Sequence, residues 1–85
     1  MNIQIEPHTL QRTMERGATE YEIKETINSG VNILGKSARL GKSKVFPFAA
    51  ERNGKYFEEK KLEVYYVIEN NSIITVTVYV FYGKF

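Results

Sequence analysis

The spacing of hydrophobic positions predicts a short strand and a helix at the start of the chain. Residues 2–5 alternate as in a strand, whereas Leu10 and Met14 lie four residues apart, as on one face of a helix. A proline suited to the first helical turn and a terminating Gly17 place this helix at residues 7–16. We expect Leu10 and Met14 to face the core.

A second helix is predicted directly after the first. Thr19 and Glu22 have the spacing of a capping box, in which each side chain bonds the backbone of the other residue. Ile23 and Ile27 then form a narrow apolar stripe, and Gly30 ends the helix. The two helices are thus joined by a turn of a few residues.

From residue 31 onward the pattern favours β-structure. Strands are predicted at residues 31–34, 45–52, 55–68 and 73–82, with a bulge or a change of partner at the polar run 58–61. Asn53 and Gly54 form a strong two-residue hairpin signal, and Pro47 indicates an irregular or edge strand. Residues 35–43 are rich in glycine, serine and basic side chains, so we expect a flexible loop there.

The last strand predicts which face of the sheet is buried. One set of alternate residues is aliphatic and is expected to face the helices: Ile74, Val76, Val78 and Val80. The opposite, open face is expected to carry Thr75, Thr77, Tyr79 and Tyr65. The fold class is therefore α+β, a single domain over residues 1–85 in the order β-α-α-β-β-β-β. Both helices are expected on one face of an antiparallel sheet.

Composition narrows the possible chemistry. The chain has no cysteine, no aspartate and one histidine, which is a poor supply of metal ligands, so we expect no metal and no cofactor. No apolar run approaches the length of about 18 residues needed to span a bilayer, so no membrane partner is expected. The first residues lack the pattern of a signal peptide, and we expect a cytoplasmic protein.

Charge is concentrated in the middle of the chain. Residues 31–62 carry eight Lys and Arg against three Glu, a net charge of +5, although the whole chain carries only +2. Four of these cations are candidate phosphate-binding residues: Lys36, Arg39, Lys42 and Lys44. The alternative is a solvated surface of mixed charge, which a segment of this charge fits equally well.

The first predicted helix carries His8, Arg12 and Arg16 at four-residue spacing, so the three share one face. A histidine can exchange protons near neutral pH, and guanidinium groups bind phosphate. Such a set suits cleavage of an RNA phosphodiester, with proton transfer at two oxygens and cations that stabilise the phosphorane. Tyr79, on the open sheet face, could assist proton transfer. The alternative is a solvated helix face on which Glu15 pairs with Arg12.

Residues 30–37 satisfy the letter pattern of a nucleotide-binding P-loop. Such a loop follows a strand and opens a helix within a parallel sheet. Here a predicted helix precedes the pattern and β-structure follows it. We therefore interpret the match as chance.

The helix motif His8-x-x-x-Arg12-x-x-x-Arg16-Gly17, followed by a capped helix and a β-rich half, resembles a family of small prokaryotic domains of unknown function. That family lies close to the RelE-type and BrnT-type toxin RNases, and the resemblance covers nearly the whole chain. It implies a RelE-like fold and RNA cleavage without metal. The residues that it carries over are His8, Arg12, Arg16, Lys44 and Tyr79.

Two hypotheses about function follow. The first is a metal-independent RNase-like or RNA-binding domain of the RelE toxin type, whose partners would be RNA and a cognate antitoxin. The second is a non-catalytic module that binds an antitoxin or a second copy of the chain through the open sheet face. A catalytic site requires His8 and at least two cations in one cleft. A binding module would instead show a broad apolar patch with scattered charges.

Overall fold

The computed structural model describes residues 1–85 as two helices and five strands. In chain order the elements are β1 (Asn2–Ile5), α1 (Pro7–Glu15), α2 (Glu20–Ser29), β2 (Val31–Ile33), β3 (Leu40–Arg52), β4 (Lys55–Glu69) and β5 (Ser72–Gly83). The α+β class and the predicted order of elements are confirmed. Neither helix has the length and hydropathy needed to cross a bilayer.

The five strands form one sheet in the order β1-β5-β4-β3-β2. Strands β2, β3, β4 and β5 pair with one another in antiparallel fashion, but β1 runs parallel to β5. The sheet is therefore mixed, which corrects the expectation of an antiparallel one. Because β1 leads directly into α1 and runs parallel to β5, α1 continues along the same edge of β5 beyond the end of β1.

The core lies between the helices and one face of the sheet. Ile23 and Ile27 of α2 are buried against Leu62 and Val64 of β4. The capping box that begins α2 is present with both of its hydrogen bonds, as the sequence predicts. The predicted core stripe of the second helix is thus confirmed.

The first helix faces the core with different residues from those predicted. Met14 is 62% exposed, whereas Thr9 and Thr13 are buried. Thr9 Oγ1 donates a hydrogen bond to the carbonyl of Val76, and Thr13 Oγ1 donates to the carbonyl of Thr9. The helix lies along polar backbone of β5, so hydroxyl groups rather than a methionine suit its inner face. Leu10 still packs against the core.

A β-bulge interrupts the alternation of β5. Tyr65 on β4 pairs with Thr77, but the next residue, Tyr66, pairs with Thr75. Val76 is left without a partner on β4. As a result, odd-numbered residues of β5 face the core before the bulge and even-numbered residues face it after the bulge.

The bulge makes the predicted inward face correct over only half of the strand. Val78 is 2% exposed and Val80 packs against the core, as predicted. Before the bulge, Ile73 and Thr75 are buried instead of the predicted Ile74 and Val76. The prediction that Thr75 faces the open side is therefore wrong.

The hairpin of β3 and β4 is longer than predicted. β3 begins at Leu40, so only residues 34–39 form a loop and the last part of the predicted basic loop is strand. Asn53 and Gly54 both have positive φ, 52° and 78°, which confirms the two-residue turn. The predicted irregularity at Pro47 is also confirmed, by a register shift between Pro47 and Ala50.

Candidate functional site

The outer edge of β5 is covered by a strand at one end and by a helix at the other. β1 pairs with β5 only as far as Thr75. Beyond that point α1 supplies the hydrogen-bond donors: Thr9 Oγ1 donates to the Val76 carbonyl at 3.0 Å and Arg16 Nη1 to the Val78 carbonyl at 2.9 Å. The helix is thus fixed beside carbonyls that would otherwise lack partners.

A groove of about 180 Å³ lies between α1 and this part of β5. Its lining, which we call the helix-edge groove, consists of His8, Thr9, Arg12, Arg16, Val76, Thr77, Val78 and Tyr79. All four residues predicted to be catalytic, His8, Arg12, Arg16 and Tyr79, therefore line one groove. The helical spacing of the first three accounts for their shared side, and the docking of α1 on the edge of β5 places them beside Tyr79.

The basic residues of this groove have different environments. Arg16 donates one hydrogen bond to the Val78 carbonyl, and its remaining guanidinium N–H groups form no hydrogen bond within the protein. Arg12 and His8 are exposed and form no ion pair or side-chain hydrogen bond, so the predicted pairing of Glu15 with Arg12 is absent. Arg12 and His8 can therefore reach a ligand without breaking contacts of the fold.

The carbonyls at the end of α1 are held by residues from distant strands. Arg52 Nη2 donates to the Glu15 carbonyl, Tyr82 Oη to the Arg16 carbonyl, and Lys60 Nζ to the Gly17 carbonyl, at 3.0, 2.6 and 2.9 Å. These contacts fix the backbone that carries Arg16.

Neither the helix motif nor the charge pattern of the sequence indicated these three supporting residues, Arg52, Lys60 and Tyr82. The alternation of β4 was the available signal for one of them. Lys60 lies two and four residues before the buried Leu62 and Val64, so it had to face the core and needed a partner there. That partner is Glu22, 2.9 Å away.

A second groove, of about 330 Å³, lies beside the first on the open face of the sheet. Its lining, which we call the loop groove, consists of Leu34, Lys36, Ser37, Arg39, Tyr65, Thr77 and Tyr79. Thr77 and Tyr79 line both grooves, so the two adjoin along β5. The structure thus brings two of the four predicted phosphate-binding residues, Lys36 and Arg39, next to the predicted catalytic set.

The other two predicted phosphate-binding residues lie on the opposite face of the sheet. Lys42 pairs in register with Val64, and Lys44 with Leu62, so both share the side of the buried core. Their position follows from strand alternation, since residues 40–43 are strand rather than loop. The structure does not bring Lys42 or Lys44 to either groove.

Lys44 is also engaged with α2. Its Nζ donates to Glu25 Oε2 at 2.9 Å and to Ser29 Oγ at 2.6 Å. The hydrogen bond from Lys44, together with one from Ser29, lowers the pKa of the Glu25 carboxyl below its ordinary value. This ion pair ties β3 to α2, which is a structural role.

Aromatic rings form a row on the open face. The ring centroids of Tyr65 and Tyr79 are 6.0 Å apart, and those of Tyr79 and Phe81 are 6.4 Å apart. Burial and the adjacent Glu63 raise the pKa of the Tyr65 phenol, which donates to Glu63 Oε1 at 3.2 Å. Tyr65 therefore stays protonated, and Tyr79, which is 47% exposed, is the ring most open to a ligand.

No cluster of three or more histidine or acidic side chains is placed to hold a metal ion. Comparisons of the chain with models of known families, with curated proteins and with solved structures give no match. A relation to RelE-type or BrnT-type toxins therefore stays a prediction from the sequence motif alone.

Proposed function

We propose that this domain is an RNase-like domain of the RelE toxin type that binds RNA and cleaves it without a metal ion. The observation that carries the proposal is the shared lining of the helix-edge groove by His8, Arg12, Arg16 and Tyr79. Cleavage of a phosphodiester through the 2′-hydroxyl requires groups that transfer protons at two oxygens and cations that stabilise the phosphorane, and His8, Tyr79 and the two arginines are groups of these kinds.

In this reaction the 2′-hydroxyl of a ribose loses its proton as its oxygen forms a bond to phosphorus, and the 5′-oxygen takes up a proton as its bond to phosphorus breaks. His8 carries out one of these two proton transfers, because an imidazole can act either as an acid or as a base. Arg12 binds the phosphate and Arg16 stabilises the added charge of the phosphorane through its unused donors. Tyr79 assists by donating a hydrogen bond from its phenol.

The loop groove supports binding rather than chemistry. Lys36 and Arg39 form no ion pair within the protein and are exposed, so they are open to backbone phosphates on either side of the scissile bond. By the same resemblance, a cognate antitoxin would cover the grooves and hold the domain inactive.

The proposal is tested by incubating the pure protein with RNA in EDTA. Replacing His8 with alanine should lower the cleavage rate by about 100-fold, the lower end of what a general acid or base contributes. The matched control is Gln11→Ala, an exposed residue of the same helix that lies outside the helix-edge groove. Equal cleavage by the parent and by His8→Ala would refute the role of His8, and no cleavage by the parent would refute catalysis.

The second candidate function is protein binding through the open sheet face. It is favoured by exposed side chains there, since Val45, Tyr79 and Phe81 are 39%, 47% and 41% exposed. A partner that covers them would be an antitoxin or a second copy of the chain. Light scattering on the purified protein distinguishes the two: a concentration-dependent dimer that binds no RNA supports this function, and a monomer that binds RNA supports the first.

A further inference from the structure

We infer that the RNA bound by this domain is single-stranded and that one of its bases stacks on Tyr79, with the backbone passing from the loop groove into the helix-edge groove. This inference rests on the proposed function and specifies its substrate. It is carried by the position of Tyr79, which lines both grooves between two separate sets of cations.

The two sets of cations define the path of the backbone. Lys36 and Arg39 lie in the loop groove on one side of Tyr79, and Arg12 and Arg16 lie in the helix-edge groove on the other. A strand that contacts both sets must cross the tyrosine ring. Its phosphates then meet positive charge on each side of the stacked base.

Negative charge on the open face confines the strand to this path. Glu63 on β4 lies directly opposite Tyr79 and is placed to repel a phosphate. Its carboxylate accepts a hydrogen bond from Tyr65 and lies 3.7 Å from Lys61 Nζ. The other acidic residue in this row of β4 is Glu59, whose Oε1 accepts from the backbone of Phe85. Lys61, between these two glutamates on β4, is paired with Glu63, so this row offers a phosphate no unpaired cation and the backbone should follow β5.

The geometry favours unpaired bases over a duplex. The face of a base is open to an aromatic side chain only when the base has left its stack. A volume of about 330 Å³ lies at the lower end of the range of small-ligand pockets, and it suits one nucleotide rather than a helix of RNA. Phe81, 41% exposed and adjacent to Tyr79, extends the row for a neighbouring base.

Fluorescence anisotropy in EDTA tests the inference, with every variant made in the His8→Ala background so that cleavage of the RNA is slow during the measurement. The probe is a labelled eight-nucleotide RNA, alone or annealed to its complement. Tyr79→Leu should weaken binding of the single strand by about 5- to 100-fold, the range measured for loss of one stacked base. Tyr79→Phe should bind within about twofold of the parent because it keeps the ring. The matched control is Tyr56→Leu, a 58% exposed tyrosine of β4 outside both grooves, which should have no effect.

A gain of binding provides a second readout that misfolding cannot imitate. Glu63→Gln keeps an acceptor for Tyr65 but removes the negative charge opposite Tyr79, so it should raise the affinity for the single strand. Duplex bound as tightly as the single strand, or Tyr79→Leu bound as tightly as Tyr79→Phe, would overturn the inference while leaving RNA binding in place. If no variant, including Tyr79→Phe and the His8→Ala parent, binds either RNA, the inference and the proposed function both fail.

Discussion

Basic residues on the two faces of the sheet have different roles. On the helix-covered face, Lys44 and Lys60 are held by glutamates of α2. On the open side, Lys36 and Arg39 have no such partner. All four belong to the basic segment of residues 31–62, so the charge of a segment does not reveal the role of its members. Lysines at core-facing strand positions stabilise the fold, whereas the cations of the loop remain for a ligand.

The largest expected effect on stability comes from a substitution on the core-facing side of β5. Val78→Asp places an unpaired carboxylate in the core, at a cost of several kcal/mol out of a typical stability of about 5–15 kcal/mol. We expect this variant to be unfolded. Thr77→Asp, one residue earlier, is half-buried on the groove side and should fold. Thermal melts followed by circular dichroism check both, and the reverse result would mean that the faces are assigned the wrong way round.

The next effect concerns the buried ion pair of the covered face. Lys60 is 6% exposed, lies 2.9 Å from Glu22 and donates to the Gly17 carbonyl. Lys60→Met leaves the Glu22 carboxylate with only its capping bonds from Thr19 and the Gly17 carbonyl without this donor, which should cost about 3 kcal/mol of unfolding free energy in urea titrations. Lys44→Met breaks a more exposed pair and should cost clearly less. Equal losses would show that burial does not separate these two lysines.

A smaller effect tests the position of the bulge. Thr75 is fully buried and its hydroxyl has no hydrogen-bond partner. Thr75→Val replaces that hydroxyl with a methyl group of similar size, so it should stabilise the protein by about 1 kcal/mol. The melting temperature of a domain of this size would then rise by about 4–8 °C. A lower melting temperature would indicate that the first half of β5 faces the other way.

Local signals in the sequence predicted much of the fold. The capping box at Thr19, the turn at Asn53 and Gly54, and the core positions Ile23 and Ile27 are all found as predicted. Each depends on residues within a few positions of one another, which sequence patterns record directly.

The predictions are wrong where the structure depends on pairing between residues that are distant in the sequence. A strand whose residues alternate regularly carries no sign of the bulge at Val76, which depends on the register with β4. The exposure of Met14 likewise follows from the docking of α1 on the edge of β5. For the candidate site, helical spacing predicted that His8, Arg12 and Arg16 share a face. The pairing of β3 with β4, which the sequence does not show, places Lys42 and Lys44 on the opposite face of the sheet from Lys36 and Arg39.

The most direct test of the account compares two double variants in RNA binding at several salt concentrations. Lys36→Gln with Arg39→Gln removes the cations of the open side, and Lys42→Gln with Lys44→Gln removes the same charge from the covered face. Each phosphate contact on a single strand contributes about 0.7 to the slope of log affinity against log salt. The first pair should therefore flatten the slope by about 1.4, and the second should leave it unchanged. Equal slopes for the two pairs, or a change in the second alone, would contradict the assignment of the two faces.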